Sequence, residues 1–356
     1  MATFLLAACG SGGDSAADTS VATTVARPSS SATTLPPATD PAPPTTEPPP
    51  VESTLPVLGY APLTGLPVTD AAYLDRPALV AKMDNHTDAR PHAGLNQADI
   101  VYEEIVEGIT RFFVIFQSQD AAPVGPVRSA RTTDVALLNQ LNRPLFVYSG
   151  GNAKVQSAIG GANIENRQHN QSLGYYRDAD RRARAAVEHT LLIESTNRIY
   201  ETVTDKQGPP AAFFSYHDPG AELPGGEPAT KISMVMNSVP ITWTWDAASG
   251  TYLREEYGET HLDSTGVQVS GTNVVIQFCQ YRTSPADPKS PEAVSVGSGE
   301  AVIFTGGKIF HGTWDRPDEA KPAVFTLDDG SEVQLAPGRT WIELAQTGKT
   351  EYQASA

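Results

Sequence analysis

Cysteine is almost absent from this chain: Cys9 stands near the start and Cys279 deep in the sequence. Two thiols placed like that cannot form a disulfide framework, so the fold must rest on a packed core. Cys279 lies in "NVVIQFCQY", a strand-like run with no histidine beside it, and is read as a half-buried thiol without a catalytic role. Basic residues are also scarce, with 25 Lys and Arg against 41 Asp and Glu and a formal net charge of -16. That balance opposes general affinity for nucleic acid or anionic lipid, whose phosphates demand net positive surface. Beyond the N-terminal residues, no stretch approaches the roughly 18 consecutive apolar residues of a membrane-spanning helix. Three motifs are missing as well: the complete G-x-x-x-x-G-K-S/T of a P-loop, H-E-x-x-H, and the G-x-S-x-G elbow.

What the chain does have begins with "MATFLLAACGSGG", a short apolar run ending in Leu6-Ala7-Ala8-Cys9. It resembles a bacterial lipobox, truncated because no Lys or Arg precedes the apolar run, and it predicts residues 1–9 to be a signal with lipidation at Cys9. Residues 10–56 turn to Ser, Thr, Ala and Pro, densest in "PPATDPAPPTTEPPP" and without one aromatic side chain. A segment of that composition cannot bury enough apolar surface to offset its chain entropy, so it predicts a disordered tether. Together these point to a protein held on the extracytoplasmic face of the membrane by a lipid alone.

Residues 57–220 alternate short apolar runs with helical patterns, which predicts an α/β or α+β domain with a mixed sheet. "RPALVAKMDN" reads as a buried strand over 78–82 that ends in Asp84 and Asn85. In "ADIVYEEIVEGITRFFVIFQ" a two-residue Glu107-Gly108 turn predicts a hairpin. Its register sets Val106 against Ile109 and Glu104 against Arg111, with Glu103 on the opposite face. Residues 228–352 carry turns every 8 to 12 residues and predict a smaller, mainly β domain. There Trp243 and Trp245 alternate with threonines, a pattern of core packing, with a carbohydrate-stacking face as the alternative.

The candidate site centres on "VGPVRSARTTD". Arg128, Ser129, Arg131 and Thr132 stand before a predicted helix containing Val135, Leu138 and Leu141, with Ser129, Thr132 and Thr133 able to cap its first turn. Guanidinium groups beside unpaired helix amides suit phosphate, sulfate or carboxylate. The competing reading is that these arginines neutralise the chain's own acids, such as Glu103, Glu104 or Asp84. Gly150 and Gly151 follow the strand "RPLFVY", and Asn85, Arg90 and Arg111 complete the set of candidate ligand-binding residues. Asp84, Glu103 and Glu104 are the candidates for acid, base or metal-ligand roles if the chain is an enzyme. His86 between Asp84 and Asp88, with His92 behind, makes a loop of oxygen and nitrogen donors too commonplace to assign a metal. His261 and Asp263 share a strand face without a visible third partner. No cofactor is assigned.

The stretches "DNHTDARPHAGLNQADIVYEEIVEGITRFFVIFQ", "VGPVRSARTTDVALL" and "SGGN" are similar to the first domain of the YerB-like lipoproteins, a DUF3048 family. "EEYGETHLDSTG", "TNVVIQF", "GSGEAVIFTGGK", "GTWDRP" and "APGRTWIEL" resemble its second domain. The resemblance implies a two-domain bacterial surface lipoprotein and carries no catalytic residues with it. This chain departs at Glu188-His189-Thr190, where the family pattern has Pro-His-Asn. Three functions follow from these readings. The first is a surface module that binds an anionic envelope ligand, the second an envelope hydrolase or transferase acting on a phosphorylated or glycan substrate, and the third a scaffold for an envelope protein.

Overall fold

The computed structural model describes residues 56–221 and 223–356; the expected signal at 1–9 and the tether up to residue 55 lie outside them. Among the described residues the architecture is a mixed sheet with few helices, followed by a mainly antiparallel β region.

The first region supplies five strands and two helices to the frame of the molecule. They are β1 (Leu79–Asp84), β2 (Ile100–Ile105), β3 (Thr110–Phe116), helix α1 (Thr133–Asn139), β4 (Leu145–Tyr148), helix α2 (Ala153–Gly161) and β5 (Glu165–Gln168). The second region adds β6 (Lys231–Met236), β7 (Val239–Asp246), β8 (Thr251–Glu256), β9 (Asn273–Ser284) and β10 (Asp287–Val294). It continues with β11 (Gly297–Thr305), β12 (Lys308–Arg316), β13 (Val324–Leu327), β14 (Thr340–Gln346) and β15 (Tyr352–Ser355).

Both regions contribute to one twelve-stranded sheet, in which β12, β11, β9, β14, β2, β3, β1, β4 and β5 lie side by side in that order. The seam is β14, which runs parallel to β9 on one side and to β2 on the other. Central strands covered by a layer on each face are buried completely, and every residue of β1, β2 and β3 is buried. The β2–β3 hairpin has the register read from its turn: Ile105 faces Thr110, Glu104 faces Arg111, and the Val106 amide donates to the Ile109 carbonyl at 2.9 Å.

Alternation along these strands sends two apolar sets to opposite faces. Ala81, Met83, Val101, Phe112 and Val114 pack against Ile232, Met236, Val239, Ile241 and Trp243 of a six-stranded second sheet built around β6, β7 and β8. Val80, Tyr102, Phe113 and Ile115 pack against Leu137, Leu138, Leu141, Val155 and Ile159 from α1, α2 and the turn after α1. Trp243 is wholly buried and donates from its indole N–H to Glu343 at 3.1 Å, so it is a core residue. Cys279 is buried too, and desolvation pushes its thiol up to about 12, which keeps it protonated and unreactive.

Candidate functional site

Charges inside a fully buried strand must find partners, and Lys82 and Asp84 sit at the carboxyl end of β1. Their side chains share a face with Glu104 and Arg111, because Lys82 is in register with Phe113 and Asp84 with Arg111. The chain reaches this end of the sheet a second time through "VGPVRS". Val127 bridges Met83, the Arg128 amide donates to the Lys82 carbonyl at 2.8 Å, and the Ser149 amide donates to the Arg128 carbonyl at 3.0 Å. Gly125 makes that approach possible: at φ +144° a Cβ would meet the Leu191 carbonyl oxygen at 3.0 Å. Arg128 and Ser129 are thereby held between the ends of β1 and β4, at the carboxyl edge where ligands of α/β sheets gather.

Arg111, Arg128 and Arg131 converge there. Arg111 and Arg131 both donate to the Ser129 carbonyl, at 2.8 and 3.4 Å. Arg131 also pairs with Glu107 at 2.6 Å, and the Arg128 Nε lies 3.1 Å from an Asp84 carboxylate oxygen. The Arg128 and Arg131 side chains keep 23% and 15% of their surface in solvent, so neither is sealed. The Nε of Arg111 has no hydrogen-bond partner among the described residues, and the Nε of Arg128 meets Asp84 as an ion pair. Burial, reinforced by Arg131 and Arg128, lowers Arg111 to about 10 despite the nearby Asp84 carboxylate. Burial works to raise Asp84, yet Arg128, the hydrogen bond from His189 and Arg111 hold its carboxyl below the ordinary value. Glu107 is held down at about 2, where burial is outweighed by its bonds from Arg131 and Ser290.

Lys82 makes ion pairs with both Glu104 and Asp134, all three wholly buried. Burial is the main force pushing Glu104 up to about 7, opposed by Lys82. The expected Glu104–Arg111 pair is therefore replaced: the two residues are cross-strand neighbours, but Lys82 reaches Glu104 from β1 and Arg111 turns to Ser129. The helix caps also differ from expectation. Thr132 is the N-cap residue of α1 without a side-chain cap, since its hydroxyl meets Ser284 at 2.8 Å, and the Thr133 hydroxyl accepts the Ala293 amide at 3.1 Å.

The opposite face carries a second buried network. Arg254 donates to Glu103 and to Glu256 at 2.5 Å each, and Asn85 donates to Glu256 at 2.9 Å. Arg90 pairs with Glu256 at 2.7 Å. Asn85, Arg90 and Glu103 thus stand apart from Arg111, Arg128, Ser129 and Arg131, while Gly150 accepts from the Ala130 amide beside them. His261 faces Arg254 here, whereas Asp263 accepts the Thr265 and Val267 amides of its own turn.

One functional candidate was invisible in the sequence. His189 is buried, and its Nδ1 lies 2.7 Å from the Asp84 carboxylate oxygen that Arg128 also meets. Its ring stacks on His86 at 4.4 Å between centroids. The only sequence signal was a His within a segment that departs from a family pattern. A separate concavity of about 660 Å³ lies elsewhere, lined by Met234, Pro240, Thr242, Lys349 and Tyr352, and contains none of these side chains.

Two family models match the chain: "Protein of unknown function (DUF3048) N-terminal domain" over residues 63–208 and its C-terminal counterpart over 231–342. The chain belongs to the DUF3048 family. It is 29% identical over 306 residues to the protein named "Putative lipoprotein YerB" of Bacillus subtilis (strain 168), spanning 80% of this chain and 85% of that one. The crystal structure of the YerB protein from Bacillus subtilis superposes with a TM-score of 0.69 at 24% identity, over 83% of this chain and 99% of that chain, and so shares the fold. In the present chain the two family segments meet edge to edge in one sheet, through the pairing of β14 with β2.

Proposed function

We propose that this DUF3048 protein is an extracytoplasmic surface protein, lipid-anchored through Cys9, that binds an anionic ligand of the cell envelope bearing phosphate or carboxylate. The observation that carries the binding reading is the convergence of Arg111, Arg128 and Arg131 on the carboxyl ends of β1 and β4, with the Arg111 Nε lacking a hydrogen-bond partner among the described residues. Among the described residues Arg111 has no carboxylate within ion-pair distance, and the pairs of Arg128 and Arg131 are partly open to solvent, where a competing anion can exchange with Asp84 or Glu107. The anchor reading is supported by Leu6-Ala7-Ala8-Cys9, by the word lipoprotein in the name of the Bacillus relative, and by the lack of any described helix long and apolar enough to cross a membrane. Cosedimentation with isolated cell envelopes tests it. The purified chain is expected in the pellet and the Arg128→Ala, Arg131→Ala double variant in the supernatant; equal sedimentation of the two would contradict the reading.

A second reading is favoured by the Asp84–His189 contact: an envelope hydrolase or transferase acting on a phosphorylated or glycan substrate. A carboxylate that orients an imidazole beside an arginine is suited to general acid–base chemistry on a phosphate group. Turnover of a chromogenic phosphodiester, abolished by His189→Gln, would establish it, and the absence of turnover would leave the binding reading alone.

A further inference from the structure

His86, Asp88 and His189 each present one donor atom, and these three atoms lie within 4.8 Å of one another. Two of the residues sit on the loop after β1, where His86 precedes a single turn at Thr87–Ala89, and the third arrives from the turn at Val187–His189. Residues a hundred positions apart are thus brought together at the same carboxyl edge of the sheet.

We infer that His86, Asp88 and His189 form a binding site for a divalent transition metal of the zinc class. Three features of the geometry support it. First, a metal-ligating histidine almost always donates its other ring N–H to a carboxylate, which fixes the tautomer and aims the free nitrogen. His189 does so: its Nδ1 donates to Asp84 at 2.7 Å, so its Nε2 carries the lone pair. Second, the His86 Nδ1 and the Asp88 carboxylate oxygen already lie 3.7 Å apart, whereas ligands about 2.0–2.1 Å from a tetrahedral zinc stand about 3.3 Å from each other. The His86 lone pair now accepts the Asp88 amide at 3.1 Å, and a metal would take its place. Third, His86 and Asp88 have side chains 40% and 50% exposed, which leaves them room to turn toward a metal held at buried His189, on which the His86 ring now stacks. Two imidazoles and one carboxylate suit zinc, cobalt or nickel more than calcium or magnesium. Such a set leaves a fourth position open for water or an anionic group.

The inference does not depend on anion binding by the arginines. It is tested by titrating the metal-free full chain with Co²⁺, followed by visible absorption, and then displacing Co²⁺ with Zn²⁺. One Co²⁺ per chain is expected, with affinity falling at least tenfold in His86→Ala and in Asp88→Ala, and unchanged in His311→Ala. Asp84→Asn, which loosens His189 without removing a ligand, is expected to weaken binding about 10- to 100-fold. Because His86 and Asp88 are exposed, their variants keep the fold even if a change at His189 does not. Failure to bind stoichiometric Co²⁺, or equal affinity in wild type, His86→Ala and Asp88→Ala, would overturn the site.

Discussion

A single carboxylate oxygen of Asp84 meets the Nδ1 of His189 at 2.7 Å and the Nε of Arg128 at 3.1 Å. Asp84 therefore joins two segments that the sequence separates by sixty residues, the "VGPVRS" loop and the turn that carries His189. Replacing it by Asn keeps an acceptor but removes the charge. Asp84→Asn is expected to lower stability by about 1.5–3 kcal/mol, the scale of a hydrogen bond to a charged group, read as a lower urea midpoint at unchanged slope. A midpoint equal to that of wild type would mean that Asp84 does not hold these segments.

Arg254 is expected to be the most sensitive single charge in the molecule. It is wholly buried between Glu103 and Glu256, and its guanidinium lies 5.1 Å from the Trp341 ring centroid. Arg254→Met would strand two buried carboxylates, at a cost of about 3–5 kcal/mol. Adding Glu103→Gln and Glu256→Gln should recover much of that loss in urea unfolding; no recovery would contradict the ion network as the cause.

The histidines on the same face predict an acid limb of stability. Arg254 donates to His261 Nδ1 at 2.9 Å, His261 Nε2 then donates to His92 Nδ1 at 2.8 Å, and His92 Nε2 donates to the Asp84 carbonyl at 2.7 Å. Only neutral rings fit this chain of bonds, and burial accordingly lowers His92 from 6.5 to about 3. A depressed base binds its proton more weakly in the native state than in the unfolded one. Its contribution is full above pH 6.5 and is lost as the pH falls toward 3. His92→Gln should therefore lower the melting temperature at pH 7 yet show a shallower decline from pH 7 to pH 4. An identical acid slope in the variant would contradict the buried neutral ring.

Glu107 and an external anion compete for Arg131. The pair is partly exposed, with the Glu107 side chain one-third open, so losing it should change stability by no more than about 1 kcal/mol. Glu107→Gln is expected to tighten binding of inorganic phosphate at least threefold in a calorimetric titration, because it removes the internal competitor. Weaker phosphate binding by this variant would argue that Glu107 belongs to the site instead of occluding it.

Much of the fold was legible because local rules suffice for it. The Glu107-Gly108 turn dictates the hairpin register by itself, and the alternation of strand and helix up to the Gly150-Gly151 turn reflects short-range patterning. The mixed first region and the mainly β second region followed from the same patterns. The parallel seam of β14 between β9 and β2 was not legible, since parallel pairing joins distant segments and leaves no turn signature. For the site, the grouping of Arg111, Arg128 and Arg131 could be suggested from the sequence, and Asp84 stood among the acids offered as partners, as its pair with Arg128 has it; Glu107 as the partner of Arg131 was not legible. Lys82 reaches Glu104 only because β1 lies beside β3 on the face that β2 shares, a relation fixed by sheet order. His189 escaped notice for the same reason: its role depends on Asp84, more than a hundred residues away.

The most direct test of the account is isothermal titration of the full chain with inorganic phosphate and with a soluble poly(glycerol phosphate), comparing wild type with the Arg128→Ala, Arg131→Ala double variant. Anion binding at the arginines predicts a saturable site in the wild type and at least a tenfold weaker one in the variant, equivalent to about 1.4 kcal/mol. Equal heats and affinities for the two proteins would show that these guanidinium groups serve only their internal carboxylates.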